Sequence, residues 1–307
     1  MARTIAYSAP GRCGILGNPT DIYGGSVLSC SVPTRNACRL DFDEEPVGLE
    51  DPRLWNAAVH RLGFRGNVRV TWTSEVPRSS GLSGSTATLA STMACLTAAQ
   101  GQDPTEDRTL FGELVRDTER HDAGIVCGYQ DAHMICHGGL RLMRFTGKSP
   151  TEIGPPPVSE AIDAPLPFLL VTTGVERLSG AVHGPMGERW SRGETSVVRG
   201  MDRIAALAEP GTEALRCGDL QSFAEAMTEN HAIMRDLGGS GESIDRLIAR
   251  CLAHGAMAAK LAGAGLGGTV IALTEDADSL EASLRGDGYT RFIRPALVDG
   301  LRRETVD

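Results

Sequence analysis

Three glycine-rich clusters, set far apart along the chain, constrain its fold more than any other feature. They lie at residues 8–25, 76–87 and 260–268. Glycine accounts for 37 of the 307 residues, roughly 12% against about 7% in an average protein. Glycine admits left-handed backbone dihedrals and lets another group come close. The first cluster adds Arg12, Asn18 and Asp21 to a segment that begins beside a short strand at 4–7. A surface hairpin accounts for it equally well when it is taken alone.

The second cluster, Val76-Pro77-Arg78-Ser79-Ser80-Gly81-Leu82-Ser83-Gly84-Ser85-Thr86-Ala87, precedes an Ala-rich helix expected at 86–99. Small residues expose backbone amides, and the helix start adds positive potential, so the segment suits a phosphate. A helix cap would explain Ser85 or Thr86 but not ten small or polar residues in a row. The Gly-Lys-Ser/Thr ending of a Walker loop is missing. The third cluster, Lys260-Leu261-Ala262-Gly263-Ala264-Gly265-Leu266-Gly267-Gly268, reads as a connection from a helix to the strand at 270–273. That order is the reverse of a dinucleotide fingerprint, and a tight connection is an equal account of it.

Around these clusters the pattern is mixed. Strands are expected at 26–33, 38–42, 67–73, 140–145, 168–172 and 291–295. Helices are expected at 51–62, 104–120, 130–137, 197–208, 220–237 and 243–258. Four prolines within 147–157 mark a linker. The chain then divides into two α+β lobes, 1–160 and 161–307.

The net charge of −9, with no basic run, speaks against a nucleic-acid binder or a membrane-surface protein. No apolar stretch reaches the ~18 residues of a membrane span, and the N-terminus does not read as a signal peptide. The eight cysteines form no C-x-x-C pair or zinc spacing, so free thiols in a reducing cytoplasm are expected. An anionic ligand must then be held by backbone amides, a metal ion or single arginines. Glu119 at a helix end and Asp131 twelve positions on, with glycines between, are able to converge on one ion or substrate. Solvated surface acids would give the same pattern. Trp72 is a candidate adenine wall or a core residue. His133, His137 and Arg141 are candidates for an anionic substituent or for structural roles.

Together these segments resemble the GHMP kinases, the superfamily of galactokinase, homoserine kinase, mevalonate kinase and phosphomevalonate kinase. Ala9 to Arg12 with Gly17 to Asp21 match the family's first motif, Pro77 to Ala87 the second, and Lys260 to Gly268 the third. The variants Gly-Asn-Pro-Thr-Asp-Ile-Tyr-Gly-Gly and Gly-Leu-Ser-Gly-Ser-Thr-Ala look most like the glucuronokinase branch, whose members act on the anomeric hydroxyl.

The resemblance implies a two-lobed α+β fold. Its N-terminal ATP-binding lobe would be of the ribosomal protein S5 domain 2-like type, and its C-terminal lobe ferredoxin-like. It implies Asp131 and Arg12 as the catalytic pair. ATP would be held by Pro77, Ser79, Ser80, Gly81, Leu82, Ser83, Gly84, Ser85 and Thr86, and Mg²⁺ by Ser85 and Glu119. The acceptor would meet Asn18, Asp21, Tyr23, Gly128 and Asp131, with Gly263, Ala264 and Gly265. The expected activity is ATP- and Mg²⁺-dependent phosphorylation of a sugar, sugar acid or sugar phosphate by a monomer or homodimer. An amino-acid or isoprenoid-alcohol kinase and a non-kinase ligand binder are the alternatives.

Overall fold

The computed structural model describes residues 3–306 except 43, 46–48, 151, 176–179, 264, 266 and 267, with the backbone alone at 180–183. The N-terminal half runs β1 (Thr4–Leu16), β2 (Ser26–Asp41), α1 (Arg53–Leu62), β3 (Arg69–Ser74), α2 (Gly84–Ala99), α3 (Arg108–Asp117), α4 (Gln130–His137), β4 (Leu140–Arg144) and β5 (Val158–Ala161). The rest runs β6 (Phe168–Thr172), α5 (Gly180–Ser191), α6 (Thr195–Cys217), α7 (Leu220–Asp236), α8 (Glu242–Ala253), β7 (Ala258–Leu261), β8 (Thr269–Leu273), α9 (Ala277–Gly286), β9 (Phe292–Ile293) and β10 (Arg302–Arg303).

The strands form two antiparallel sheets. One has the order β10-β1-β2-β4-β5, with β3 also on β2; the other has the order β7-β8-β6-β9. Strand β2 pairs with β1 along one edge and is long enough to take two partners on the other: Ser26–Cys30 pairs with β4, and Asn36–Asp41 pairs with β3. The last strand, β10, returns to the first sheet beside β1.

Side-chain alternation on β6 shows how the sheets share a core. Phe168 and Leu170 face a cluster that also takes Cys13, Ile15, Leu28 and Leu142 from the first sheet. Leu169 and Val171 face the opposite way, onto α6, α7, α8 and α9 through Met201, Met234, Leu247 and Leu280. A strand covered on both faces reads as an unbroken apolar run, which explains Phe168-Leu169-Leu170-Val171. Helix α2 is buried nearly all round, from Ala87 to Thr97. It lies at the centre of the core formed by the first sheet, α1, α3 and α4.

Several expectations need correction. The first glycine cluster turns only in its second half, from Gly17 to Gly25: before that, β1 continues through Pro10-Gly11-Arg12 to Leu16. Its pairing with β2 breaks at Pro10/Arg12 and at Gly14/Leu16. Freed there, the Arg12 amide donates to Leu82 and the Gly14 amide to Ala262. One strand thus stitches all three clusters together. The third cluster joins two strands, not a helix to a strand, because 258–261 pairs with β8. Strand β5 and helices α5 and α9 lie where no element was expected.

All eight cysteines are free thiols. No helix among the described residues is long and apolar enough to cross a membrane.

Candidate active site

The centre of the site is an arginine that belongs to β1. Arg12 is buried, and its Nε and Nη2 both donate to Asp131 Oδ1, at 2.8 and 2.5 Å. Its Nη1 donates to the Gly81 carbonyl at 2.7 Å. One guanidinium therefore fixes the second cluster against Asp131, the second residue of α4. Charged, forked contacts of this kind are geometrically demanding and strong.

Asp21 sets where α4 begins. Its Oδ2 accepts from the amides of Tyr129 (2.7 Å) and Gln130 (3.0 Å), and its Oδ1 accepts from Gln130 Nε2 (3.1 Å). A carboxylate on the opening amides of a helix satisfies donors that the helix itself leaves unpaired. Gly128 makes the approach possible, since a Cβ there would sit 2.2 Å from Asp21 Oδ2. Burial raises the Asp21 pKa to about 6, with the charge of Asp131 adding to the rise.

Ser85 Oγ and Thr86 Oγ1, at the start of α2, each donate to one oxygen of Glu119 at 2.8 Å. Glu119 comes from the wide helical turn Thr118–Asp122 and is 1% exposed. Burial lifts its pKa to about 7 against these hydrogen bonds, and Asp131 pushes it further. A hydroxyl and a carboxylate side by side are the hard oxygen donors that Mg²⁺ prefers. No group of three or more His, Cys, Asp or Glu suited to a metal occurs among the described residues.

The loop from Val76 to Ser83 arrives pre-shaped. Ser79, Gly81 and Ser83 all have left-handed φ, at 53°, 78° and 61°. Ser83 makes no side-chain cap on α2, which leaves the helix start to its own amides. Ser80 is tied inward: its Oγ donates to Pro77 O, and its carbonyl accepts from Thr269 Oγ1. Gly263 lies against Gly81, where a Cβ would come within 2.8 Å of the Gly81 carbonyl. Gly265 instead abuts the Gly239 carbonyl, and Ala264 lies outside the described residues.

Two expected acceptor residues have contacts within the chain itself. Asn18, followed by a cis peptide to Pro19, is buried, and its Oδ1 accepts from Lys260 Nζ at 2.7 Å. Lys260 is itself fully buried, and burial lowers its pKa to about 7. The Tyr23 ring packs on Trp190 of α5 with centroids 5.3 Å apart, and burial raises its hydroxyl pKa. Trp72 is partly buried against the core and donates its indole N–H to Thr92 at 2.9 Å. His133, His137 and Arg141 are engaged with Glu113, Thr109 and the Gly138 carbonyl.

Sequence reasoning missed Asn36. Its Oδ1 accepts from Ser74 Oγ and the amides of Glu75 and Val76, while its Nδ2 donates to Gly84 O and Thr88 Oγ1. One buried amide thus clamps both ends of the loop. A lone Asn in a strand carries no local signal of such a role.

Two family models match the chain: GHMP kinases N terminal domain over residues 53–139 and GHMP kinases C terminal over residues 206–289. Together they cover more than half of it. Glucuronokinase 1 of Arabidopsis thaliana is 26% identical over 275 residues, covering 76% of this chain and 75% of that protein. Mevalonate kinase of Archaeoglobus fulgidus is 26% identical over 286 residues, covering 87% and 91%. The crystal structure of Lactococcus lactis galactokinase with galactose superposes with a TM-score of 0.77 at 17% identity, covering 98% and 95% of the two chains. That likeness speaks for the α+β fold alone. With both family models matched in order around one Arg–Asp centre, the chain belongs to the GHMP kinases, phosphotransferases whose acceptor is a hydroxyl group.

Proposed function

We propose that this protein is an ATP- and Mg²⁺-dependent kinase that transfers the γ-phosphate of ATP to a sugar, sugar acid or sugar phosphate, at the anomeric hydroxyl. The observation that carries the reading is the state of Asp131. Arg12 Nε and Nη2 both fall on Oδ1, and the Asp131 side chain keeps 16% exposure, so Oδ2 is left to receive the proton of an incoming hydroxyl. Arg12 holds that carboxylate in register with the loop through Gly81. Positioning of this kind supplies most of what phosphoryl transfer needs.

The uncapped start of α2 and the left-handed loop offer backbone amides to the ATP phosphates. Ser85 and Glu119 would hold Mg²⁺, which when bound neutralises phosphate charge. Asp21 and Gly128 keep α4, and with it Asp131, in place. The sugar reading draws on the glucuronokinase-like motifs and on the Arabidopsis relative. The equal identity to an archaeal mevalonate kinase favours a second reading, an isoprenoid-alcohol acceptor.

The test is ADP release with Mg-ATP across hexoses, uronates, sugar phosphates, homoserine and mevalonate, with the product located by phosphorus NMR. Turnover on a sugar with phosphate on the anomeric oxygen is expected. Turnover on mevalonate or homoserine alone would overturn the sugar reading. Silence with ATP bound would overturn the kinase reading.

A further inference from the structure

A cavity of about 520 Å³ opens beside the acid pair, and the mechanism above makes no use of its charged wall. Ile22, Val126, Cys127, Pro150 and residues of α5 line it. Ile22 and Cys127 join it to the catalytic centre, since they are next in the chain to Asp21 and Gly128, whose contact seats the start of α4. The volume falls in the range of about 300–1,000 Å³ typical of small-molecule clefts.

Three arginines enter the wall: Arg116 and Arg120, one helical turn apart, and Arg192 just past α5. Glu188 is the one acid among the described lining residues, and it lies 3.9 Å from Arg192 on an exposed surface, where such a pair is weak.

Arg116 is 3% exposed, with its guanidinium 3.9 Å from the centre of the Tyr129 ring. Its Nη1 donates to Asp117 at 3.1 Å, and its Nε is buried with no hydrogen-bond partner among the described residues. Leaving a charged donor unmatched inside a protein is costly. Arg120 makes one long bond, 3.5 Å to the Pro150 carbonyl. Lys148 stacks on the same tyrosine ring but is committed to Glu113 and the Ile153 carbonyl. The arginines therefore leave a net positive wall with spare donors in a chain whose overall charge is −9. Guanidinium groups match carboxylate and phosphate oxygens in forked geometry.

We propose that this cavity holds an anionic group of the acceptor, a carboxylate or phosphate remote from the reacting hydroxyl, and that Arg120, Arg192 and Arg116 select for it. The inference rests on the kinase reading and narrows its acceptor to an acidic sugar. A neutral molecule would leave the excess positive charge of the three arginines unmet.

The test uses a neutral hexose, its 6-carboxylate and its 6-phosphate. Calorimetric affinity for ADP-saturated protein and kcat/KM are measured for wild type, Arg120→Gln and Arg192→Gln. Wild type is expected to favour one of the two acidic sugars over the neutral one by at least about tenfold, the magnitude of a single charge-assisted contact. Each variant is expected to shrink that preference several-fold, through KM more than kcat. The carboxylate and phosphate arms tell the two anions apart. A preference for the neutral hexose, equal losses on neutral and acidic sugars, or no binding of either acidic sugar overturns the proposal. Binding of an acidic sugar, lost in the variants but without turnover, upholds the cavity and instead overturns the kinase reading. Arg192 is exposed, so its variant keeps the test alive should Arg120→Gln fail to fold.

Discussion

The loop 76–83 meets charged side chains on one side and bare backbone on the other. Towards α4 it is held by Arg12, with Asp131 beyond and the Ser85–Glu119 pair next to it. Towards the β7–β8 hairpin it is held by the close approach of Gly263 to Gly81 and by the Thr269 hydroxyl on Ser80. The first side is an electrostatic device. It responds to pH, and its chemistry can be altered while its shape is kept. The second is a packing device. It has no charge to remove and fails when volume is added. The comparison implies that turnover and nucleotide grip are separable.

The sharpest way to break the charged side is Arg12→Met, which strands Asp131 without its partner and frees the Gly81 carbonyl. Stability should fall by about 3 kcal/mol, as when one member of a buried pair is removed, read by urea unfolding. Turnover should fall by about 10²–10³, the scale of a lost electrostatic contact in an active site. Wild-type values for both would mean that Arg12 organises nothing.

Gly263→Ala breaks the packing side instead. The new Cβ would press on the Gly81 carbonyl from 2.8 Å. Stability should drop by about 1–3 kcal/mol, the usual cost of overpacking. ATP affinity should weaken several-fold in a nucleotide titration, while turnover at saturating ATP stays within about threefold of wild type. A large loss of saturated turnover would show that the two sides are not separable.

Glu119→Gln sharpens the comparison. The native pKa of Glu119, about 7, lies above its ordinary value of 4.5, so the folded state holds this proton more tightly. Its stabilising contribution is present at low pH and is lost as pH rises through about 7. The variant escapes that loss. Its Tm should exceed that of wild type by a few °C at pH 8 and converge with it near pH 5. Its Mg²⁺ requirement for ATP binding should rise. A lower Tm at pH 8 would show that the ionised carboxylate stabilises the fold.

The smallest effect concerns pH alone. Mg²⁺ holding needs Glu119 ionised, so wild-type kcat/KM should rise with pH through an apparent midpoint between about 6 and 7, set jointly by Glu119 and Asp21. That acid limb should be muted in Glu119→Gln. Gly263→Ala should keep it unchanged, since it adds no titrating group and leaves Glu119 and Asp21 in place.

What the sequence revealed divides along similar lines. Helix α4 was expected at 130–137 and β6 at 168–172, and both lie there, because 3.6-residue periodicity and unbroken apolar runs are local signals. Of the site residues, Arg12, Asp131, Ser85 and Glu119 were named from motifs and do meet in space. The course of β1 through Pro10 and Gly11 was not legible, since those residues suggest turns and only the distant carbonyls of Leu82 and Ala262 explain the strand. The Lys260–Asn18 contact, the Asn36 clamp and the arginine cavity were hidden for the same reason: each joins residues far apart in sequence. Lys260 lies in a strand only because β8 pairs with it, which no reading of 243–258 as one long helix could supply.

The central claim is that Asp131 handles the acceptor proton while the loop holds ATP independently. Its most direct test is the Asp131→Asn variant, with ATP dissociation constant and turnover measured side by side at saturating sugar. The expected result is an ATP affinity within about threefold of wild type and a turnover lower by about 10² or more, the scale of a lost general base. Turnover equal to wild type would remove Asp131 from the chemistry and contradict the mechanism.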